Sequence, residues 1–565
     1  MQPQGKRTAK SAGSKSQAQA PGDPSETSGF AASDVRLRLA FLAAPIFLVL
    51  CLMVAAANNR HMLNTDGIAY LRIASYYAQG QTDLMVSGYW GPLLSWLITP
   101  LLKVGMEPLL AARVVMGVSA LVFWVGCLAV FRSFGLPPLT QTIGAWLVAL
   151  ASVIWSVEYI APDLLVAGLM CLAISVSVSP KWIEDGRSPL LAGAAWGLAY
   201  YAKAVAFPLA LGVSGALAGV RWLFQADARR QILRRLATTW LVFLLLAAPW
   251  ITVLSLKYRT LTFSTSGRIA HAVVGPPDVE RYHPFGRTFH RPESGRLTAW
   301  EDPTNMGYHY WSPFAKQEYA AHQLKLMAEN FHTVLGLLAR FDALWLGVIA
   351  MLAGLLICGG GRELLLRERW RWVLVPVACL GAVYLPVYVK AVDQRYFYAA
   401  YPFLLCAALG LAAWLRDKLR AQTRVVQWLP LLAIALSFAK PALEKLPLAL
   451  SGIPDPASFY ANDLAQRLAK LDVRGPIAGS GMIVGGRAGL YAAYLLGQPW
   501  HGDSPHANAT DFKNSAAIFL IVPRRAPVAA DLDRDPTFRN LDDRLFVGPQ
   551  EAEQQPLKVY LVSAP

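Results

Sequence analysis

Ionisable residues that could do chemistry sit at the edges of apolar segments in this 565-residue chain. The sharpest setting is in the stretch 58–96, NNRHMLNTDGIAYLRIASYYAQGQTDLMVSGYWGPLLSW, directly after the first apolar run. It offers Asp66 between Thr65 and Gly67, then an amphipathic run, then an aromatic and proline-rich apolar run. A carboxylate held there could take a proton from an acceptor hydroxyl. The plainer reading is a helix N-cap. Three further charges share such edge positions: Asp163 beside Pro162, Lys203, and Arg395 in DQRYFYAAYPFLL. Asp163 could likewise be a cap, Lys203 could snorkel as an anchor, and Arg395 could mark the membrane edge.

The elements that must position these residues are membrane helices. The chain is 55% hydrophobic and 16% charged with 18 Trp, whereas a soluble chain carries roughly 25% charged residues. Apolar runs recur from residue 39 to about 440, long enough to span ~30 Å of hydrocarbon. The net charge of +16 lies mostly in short loops between these runs, so positive-inside topology explains it and nucleic acid is not implied. All six cysteines fall in apolar segments, which suggests packing rather than a disulfide framework or zinc site.

Basic residues in the leading polar tail put the N-terminus in the cytoplasm. Residues 1–33 read as disordered, and no cleavable signal is evident, so the first apolar run is taken as an uncleaved anchor. The expected organisation is a cytoplasmic tail (1–38), a transmembrane part (39–440) and an extracytoplasmic α/β domain (441–565). Eleven spans are predicted, near 39–57, 109–131, 139–157, 163–179, 189–202, 204–220, 236–256, 341–358, 372–389, 396–414 and 425–440. Segment 91–105 is expected not to cross, since crossing would send every later basic cluster outside. Segment 189–223 is split into a hairpin with Lys203 at the outer turn, because a lone Lys in mid-membrane costs ~2.5–3.5 kcal/mol.

This topology gathers the polar residues on one face: loop 58–108, the Glu158–Asp163 turn, Lys203, the long loop 257–330 and 390–395. The long loop carries Arg268, His271, Glu280, Arg281, His283, His290 and Trp300 and reads as a functional lid or as disorder. Its histidines lack ligand spacing, so no metal site is indicated. Span interiors nearly free of charge argue against a coupled transporter. After residue 454 the pattern predicts a helix at 459–471, strands at 475–480, 516–523 and 557–563, and a helix over GGRAGLYAAYLL. Gly479-Ser480-Gly481 with Gly485 has the wrong spacing for a nucleotide loop and reads as a structural turn.

Taken together, TDGIAYLRIASYY, GYWGPLLSWL, EYIAPDLLVAGLM, GLAYYAKAVAFPLAL and DQRYFYAAYPFLL resemble, in order and spacing, the GT-C class of membrane glycosyltransferases. The resemblance covers most of 40–415 and lies nearest the lipid A aminoarabinose transferase and protein O-mannosyltransferase families. It implies an α-helical polytopic fold and an inverting transfer of a hexosyl or pentosyl group from a polyprenyl-phosphate donor. The acceptor would be a hydroxyl on a glycan, glycolipid or protein, reached from the outer face of a bacterial inner (plasma) membrane. By the same resemblance the outer-face carboxylate falls on Asp66, the second on Asp163, the donor-side lysine on Lys203 and the late basic residue on Arg395. One departure matters: the usual acidic pair is here Asp66-Gly67, which leaves a single carboxylate and puts divalent metal dependence in doubt.

A phosphate leaving group is already a weak base, so an acid–base pair of the glycosidase kind is not required. What remains is a base, assigned to Asp66, and cations for the phosphate, assigned to Lys203 and Arg395 with Arg268 or His271 as further candidates. Asp163 would orient the acceptor or the surroundings of Asp66. Tyr70, Tyr89 and Trp90 could stack on sugar or line a lipid groove, although interfacial aromatics are common. The rival readings are a lipid-linked saccharide ligase or polymerase with a diphosphate donor, and a non-enzymatic lipid or saccharide transporter.

Overall fold

The computed structural model describes residues 24–279, 281, 283, 289–342, 372–471, 474–480 and 485–563. The predicted span 341–358, together with Glu280 and Cys358, lies wholly or mostly outside them. Six helices among the described residues are long and apolar enough to cross a membrane. They include α1 (Pro24–Asn58), α4 (Pro108–Ser133), α5 (Pro138–Glu158), α9 (Ala206–Phe224) and α10 (Arg229–Tyr258). Between them come α2 (Thr65–Gln79), α3 (Pro92–Lys103), α6 (Asp163–Val178), a single turn α7 (Lys181–Glu184) and α8 (Arg187–Ala202).

Segment 91–105 holds a helix shorter than the bilayer core. Its helix α3 has 12 residues, about 18 Å at the α-helical rise, and lies on α2 through Leu94, Ser95, Ile98 and Thr99. Ser95 Oγ donates to the Tyr70 carbonyl at 2.9 Å. Segment 189–223 is the expected pair of helices, α8 and α9, with Lys203 in extended conformation between them. Prolines set several of these boundaries: Pro92, Pro108 and Pro138 each open a helix, where a missing N–H costs nothing.

Two expectations need correcting. Residues 24–33 are helical, because α1 starts at Pro24 and not near residue 39; a proline is tolerated in the first turn, and the turns that follow propagate from the apolar helix without a new nucleus. The loop 257–330 is not structureless. It contains α11 (Ser266–Ala272), two 3₁₀ turns and the start of α12 (Gln317–Ala339), and a capping box at Thr298–Glu301 fixes its middle. Further on, α13 (Val375–Tyr384) and α14 (Tyr401–Lys418) flank a 3₁₀ turn at Gln394–Phe397, and α15 (Arg424–Ser451) returns.

The C-terminal unit is a small α/β domain. After α16 (Pro456–Leu468) come β1 (Ile477–Gly479), α17 (Gly485–Leu496), β2 (Trp500–Asp503), β3 (Phe519–Pro523), β4 (Phe538–Asn540) and β5 (Leu557–Val562). The sheet order is β2-β1-β3-β5-β4, with β1 parallel to β2 and β3, and β5 antiparallel to β3 and β4. Gly479 lies within β1, and a Cβ there would meet the Trp500 ring at 2.8 Å. That glycine serves close packing rather than phosphate. Ile477, Tyr491 and Trp500 share one apolar core with Ile68, Tyr70 and Leu94 of α2 and α3, so this domain is seated directly on segment 58–108.

Candidate active site

Four charges far apart in sequence meet at one cavity of about 1670 Å³. Asp66 is the second residue of α2, after Thr65, and Asp163 is the first of α6. Neither acts as the helix cap: the N-caps are Asn64 and Pro162. Arg395 Nη2 donates to Asp66 Oδ2 at 2.7 Å, and its Nη1 lies 4.0 Å from Asp163 Oδ2. Lys203 Nζ donates to Asp163 Oδ1 at 2.5 Å. The result is a chain of alternating charge, Asp66–Arg395–Asp163–Lys203.

Arg395 is the hub. Its side chain is 10% exposed and packs against the Tyr159 ring, with Cζ 4.6 Å from the ring centre. Lys203 Nζ lies 4.7 Å over Tyr396, a cation–π contact that keeps the ammonium over a ring face. Arg395 Nε makes no hydrogen bond, so the guanidinium keeps donors beyond the one given to Asp66. Burial pushes the Asp66 carboxyl up, but the Arg395 charge and hydrogen bond outweigh it and leave the group below its ordinary value. The converse holds for Arg395, where burial lowers and Asp66 and Asp163 raise, with a net rise.

A residue not singled out as a ligand completes the site. Trp300 Nε1 donates to Asp66 Oδ1 at 3.3 Å, and Trp300 itself is held by a closed knot of charges. Glu301 Oε2 accepts from Tyr76 Oη at 2.6 Å, and Glu301 Oε1 accepts from the Leu297 N–H at 2.9 Å. Asp302 accepts from Lys257 Nζ at 2.6 Å and Tyr258 Oη at 2.8 Å. Arg296 lies 3.7 Å from Glu301 and 3.8 Å from Asp302. A buried Glu-Asp pair flanking a Trp in a long loop was the available signal, but nothing in the sequence shows which carboxylates are buried.

The structure does not bring Arg268 and His271 to the cavity wall. On α11 the wall is Ser266, Gly267, Ile269 and Ala270, and the helical turn of about 100° per residue points the other two away. The Arg268 guanidinium stacks on Tyr310 at 3.7 Å, and His271 Nε2 pairs with Gln323 Oε1 at 2.9 Å. Tyr70 and Tyr89 do line the cavity, but Tyr70 is 2% exposed with its ring edge-on to Trp90, which makes it wall rather than a free stacking face. Asp455, Arg487 and Tyr491 join the lining from the C-terminal part. Among the described residues no group of three or more His, Cys, Asp or Glu is arranged to hold a metal ion.

No family model matches this sequence, and no curated protein matches it by sequence. Similarity is found in solved structures. ArnT from Cupriavidus metallidurans in the apo state is 15% identical, with a TM-score of 0.53 over 94% of this chain and 100% of that one. The same protein bound to undecaprenyl phosphate gives 15% identity and a TM-score of 0.52 over 92% and 98%. The Archaeoglobus fulgidus oligosaccharyltransferase, in complex with Zn and sulfate, is 13% identical over 84% of this chain and 68% of its own, with a TM-score of 0.49. The ArnT matches establish the GT-C fold: a helical, multi-pass membrane protein with a small sheet domain at the C-terminal end.

Proposed function

We propose that this protein is an inverting glycosyltransferase that moves a sugar from a polyprenyl-phosphate donor to an acceptor hydroxyl at the extracytoplasmic face of a bacterial inner membrane. The observation that carries this reading is the Asp66–Arg395–Asp163–Lys203 chain of charge on one large cavity. The ArnT fold, one of whose structures holds undecaprenyl phosphate, supports a lipid-linked phosphate as the donor class.

The chemistry is a single displacement. The acceptor oxygen attacks the anomeric carbon, the bond from that carbon to the phosphate oxygen breaks, and the phosphate leaves with the electron pair. Lys203 and the spare donors of Arg395 stabilise that charge. The acceptor proton passes to Asp66. As Arg395 engages phosphate its hold on Asp66 weakens, so donor binding itself raises the basicity of the carboxylate where a base is needed. Trp300 holds the second oxygen of Asp66 in place. Asp163 keeps Lys203 and Arg395 on the donor side.

Asp66→Asn should lower turnover by at least ~100-fold while the protein still inserts and binds donor. Retained turnover would remove Asp66 from the role of base. Assays with polyprenyl monophosphate and diphosphate sugars separate transferase from ligase or polymerase, and substrate flux without product would identify a transporter.

A further inference from the structure

The two carboxylates are joined by more than Arg395. Asn64, two residues before Asp66, caps α2 with its backbone, but its side chain makes no cap hydrogen bond. Instead Oδ1 accepts from the Ile160 N–H at 2.9 Å and Nδ2 donates to the Ile160 carbonyl at 3.4 Å. Ile160 is three residues before Asp163, so one side-chain amide grips the peptide that leads into the second acid.

Arg113 of α4 makes a second rung between the same two segments. It is 3% exposed, and it donates to the Met62 carbonyl at 2.9 Å and the Val157 carbonyl at 3.1 Å. Gly67 shows how tightly the first rung is built. A Cβ on it would lie 2.7 Å from Asn64 Oδ1 and 2.9 Å from Ile160 Cβ. The space beside Gly67 is therefore occupied by the grip itself.

We propose that Asn64 is a positioning residue: its amide fixes the Asp66 and Asp163 helix starts against each other, and Gly67 is the space this grip requires. The inference rests on the transferase reading above. The grip is uncharged, so it persists when a donor phosphate draws Arg395 away and leaves two like charges side by side. Its contribution therefore belongs to turnover and not to donor binding.

The test uses the full-length chain in lipid nanodiscs, with kcat, donor affinity (polyprenyl phosphate as probe), pH–rate profile and Tm measured together. Asn64→Ala should lower kcat by about tenfold to a hundredfold, with donor affinity and Tm close to wild type. Its acid limb should move to higher pH as the Arg395 hydrogen bond to Asp66 loosens. Gly67→Ala should be similarly slow, and the double variant no slower than the worse single one, since both break one grip. Wild-type kcat in Asn64→Ala while Asp66→Asn is inactive overturns the positioning role alone. So does a fall in kcat matched by a fall in Tm with an unmoved pH profile, or strict additivity of the pair. A wild-type chain that transfers nothing, or an Asp66→Asn chain at full speed, overturns the transferase reading and this role with it.

Discussion

Two clusters of carboxylates and cations stand side by side on the same face of this protein. In the knot around Glu301 and Asp302 the acids are 0% and 1% exposed by side chain. Every carboxylate oxygen there has a close partner in Tyr76, Tyr258, Lys257 or a backbone N–H. In the cluster around Arg395 the same residue types border an open cavity, and Asp66 is 17% exposed. The first arrangement is closed and orders a loop. The second is balanced in charge and borders the cavity, which is what a site that must admit a phosphate requires. Buried ion pairs of themselves argue for neither stability nor function; access to a ligand separates the two.

The comparison breaks most readily at its hub. Arg395→Gln should slow turnover by about 100-fold or more. It should also move the acid limb of the pH–rate profile upward. Burial raises the Asp66 carboxyl, and the Arg395 charge and hydrogen bond are the largest influences lowering it, so removing the cation lets Asp66 titrate at higher pH. An unmoved limb would mean that Asp66 does not set it. In the closed knot the expected loss is of stability: Glu301→Ala leaves the buried Leu297 and Thr298 N–H groups without their acceptor and should cost ~3 kcal/mol, read as a lower Tm and faster proteolysis of 257–330. Trp300→Phe links the two regions, since it removes one hydrogen bond to Asp66 and spares the knot; kcat should fall about tenfold with Tm unchanged. Chelation should do least. Asp66 and Asp163 each already have a cation partner, so EDTA should leave the rate within about twofold, read against an untreated control.

Much of the scaffold was legible in the sequence because it follows from local rules. Apolar length marks α4, α5 and α10, the lone Lys203 marks a turn, and two prolines with a short apolar run mark α3 as a helix apart from the long apolar ones. The short apolar runs at Phe519–Pro523 and Leu557–Val562 mark β3 and β5. The strands β2 and β4 were missed: each is three or four residues long, and their pairing is decided by neighbours distant in sequence. Arg268 and His271 were placed near the site by loop membership alone, and a turn of helix sends them elsewhere. Trp300 reaches Asp66 only because Glu301 and Asp302 are buried, and burial is not written locally.

By itself the sequence determined the solvent each segment needs, since hydropathy, charge placement and proline positions act over a few residues. It also picked out ionisable groups that stand at the ends of apolar segments. Only the tertiary structure decided that residues 66, 163, 203 and 395 share one cavity, that Asp66 is held by Arg395 and Trp300, and that Gly67 leaves room for Asn64 against Ile160. Those outcomes depend on how helices pack across hundreds of residues, where an angstrom of displacement separates a hydrogen bond from none.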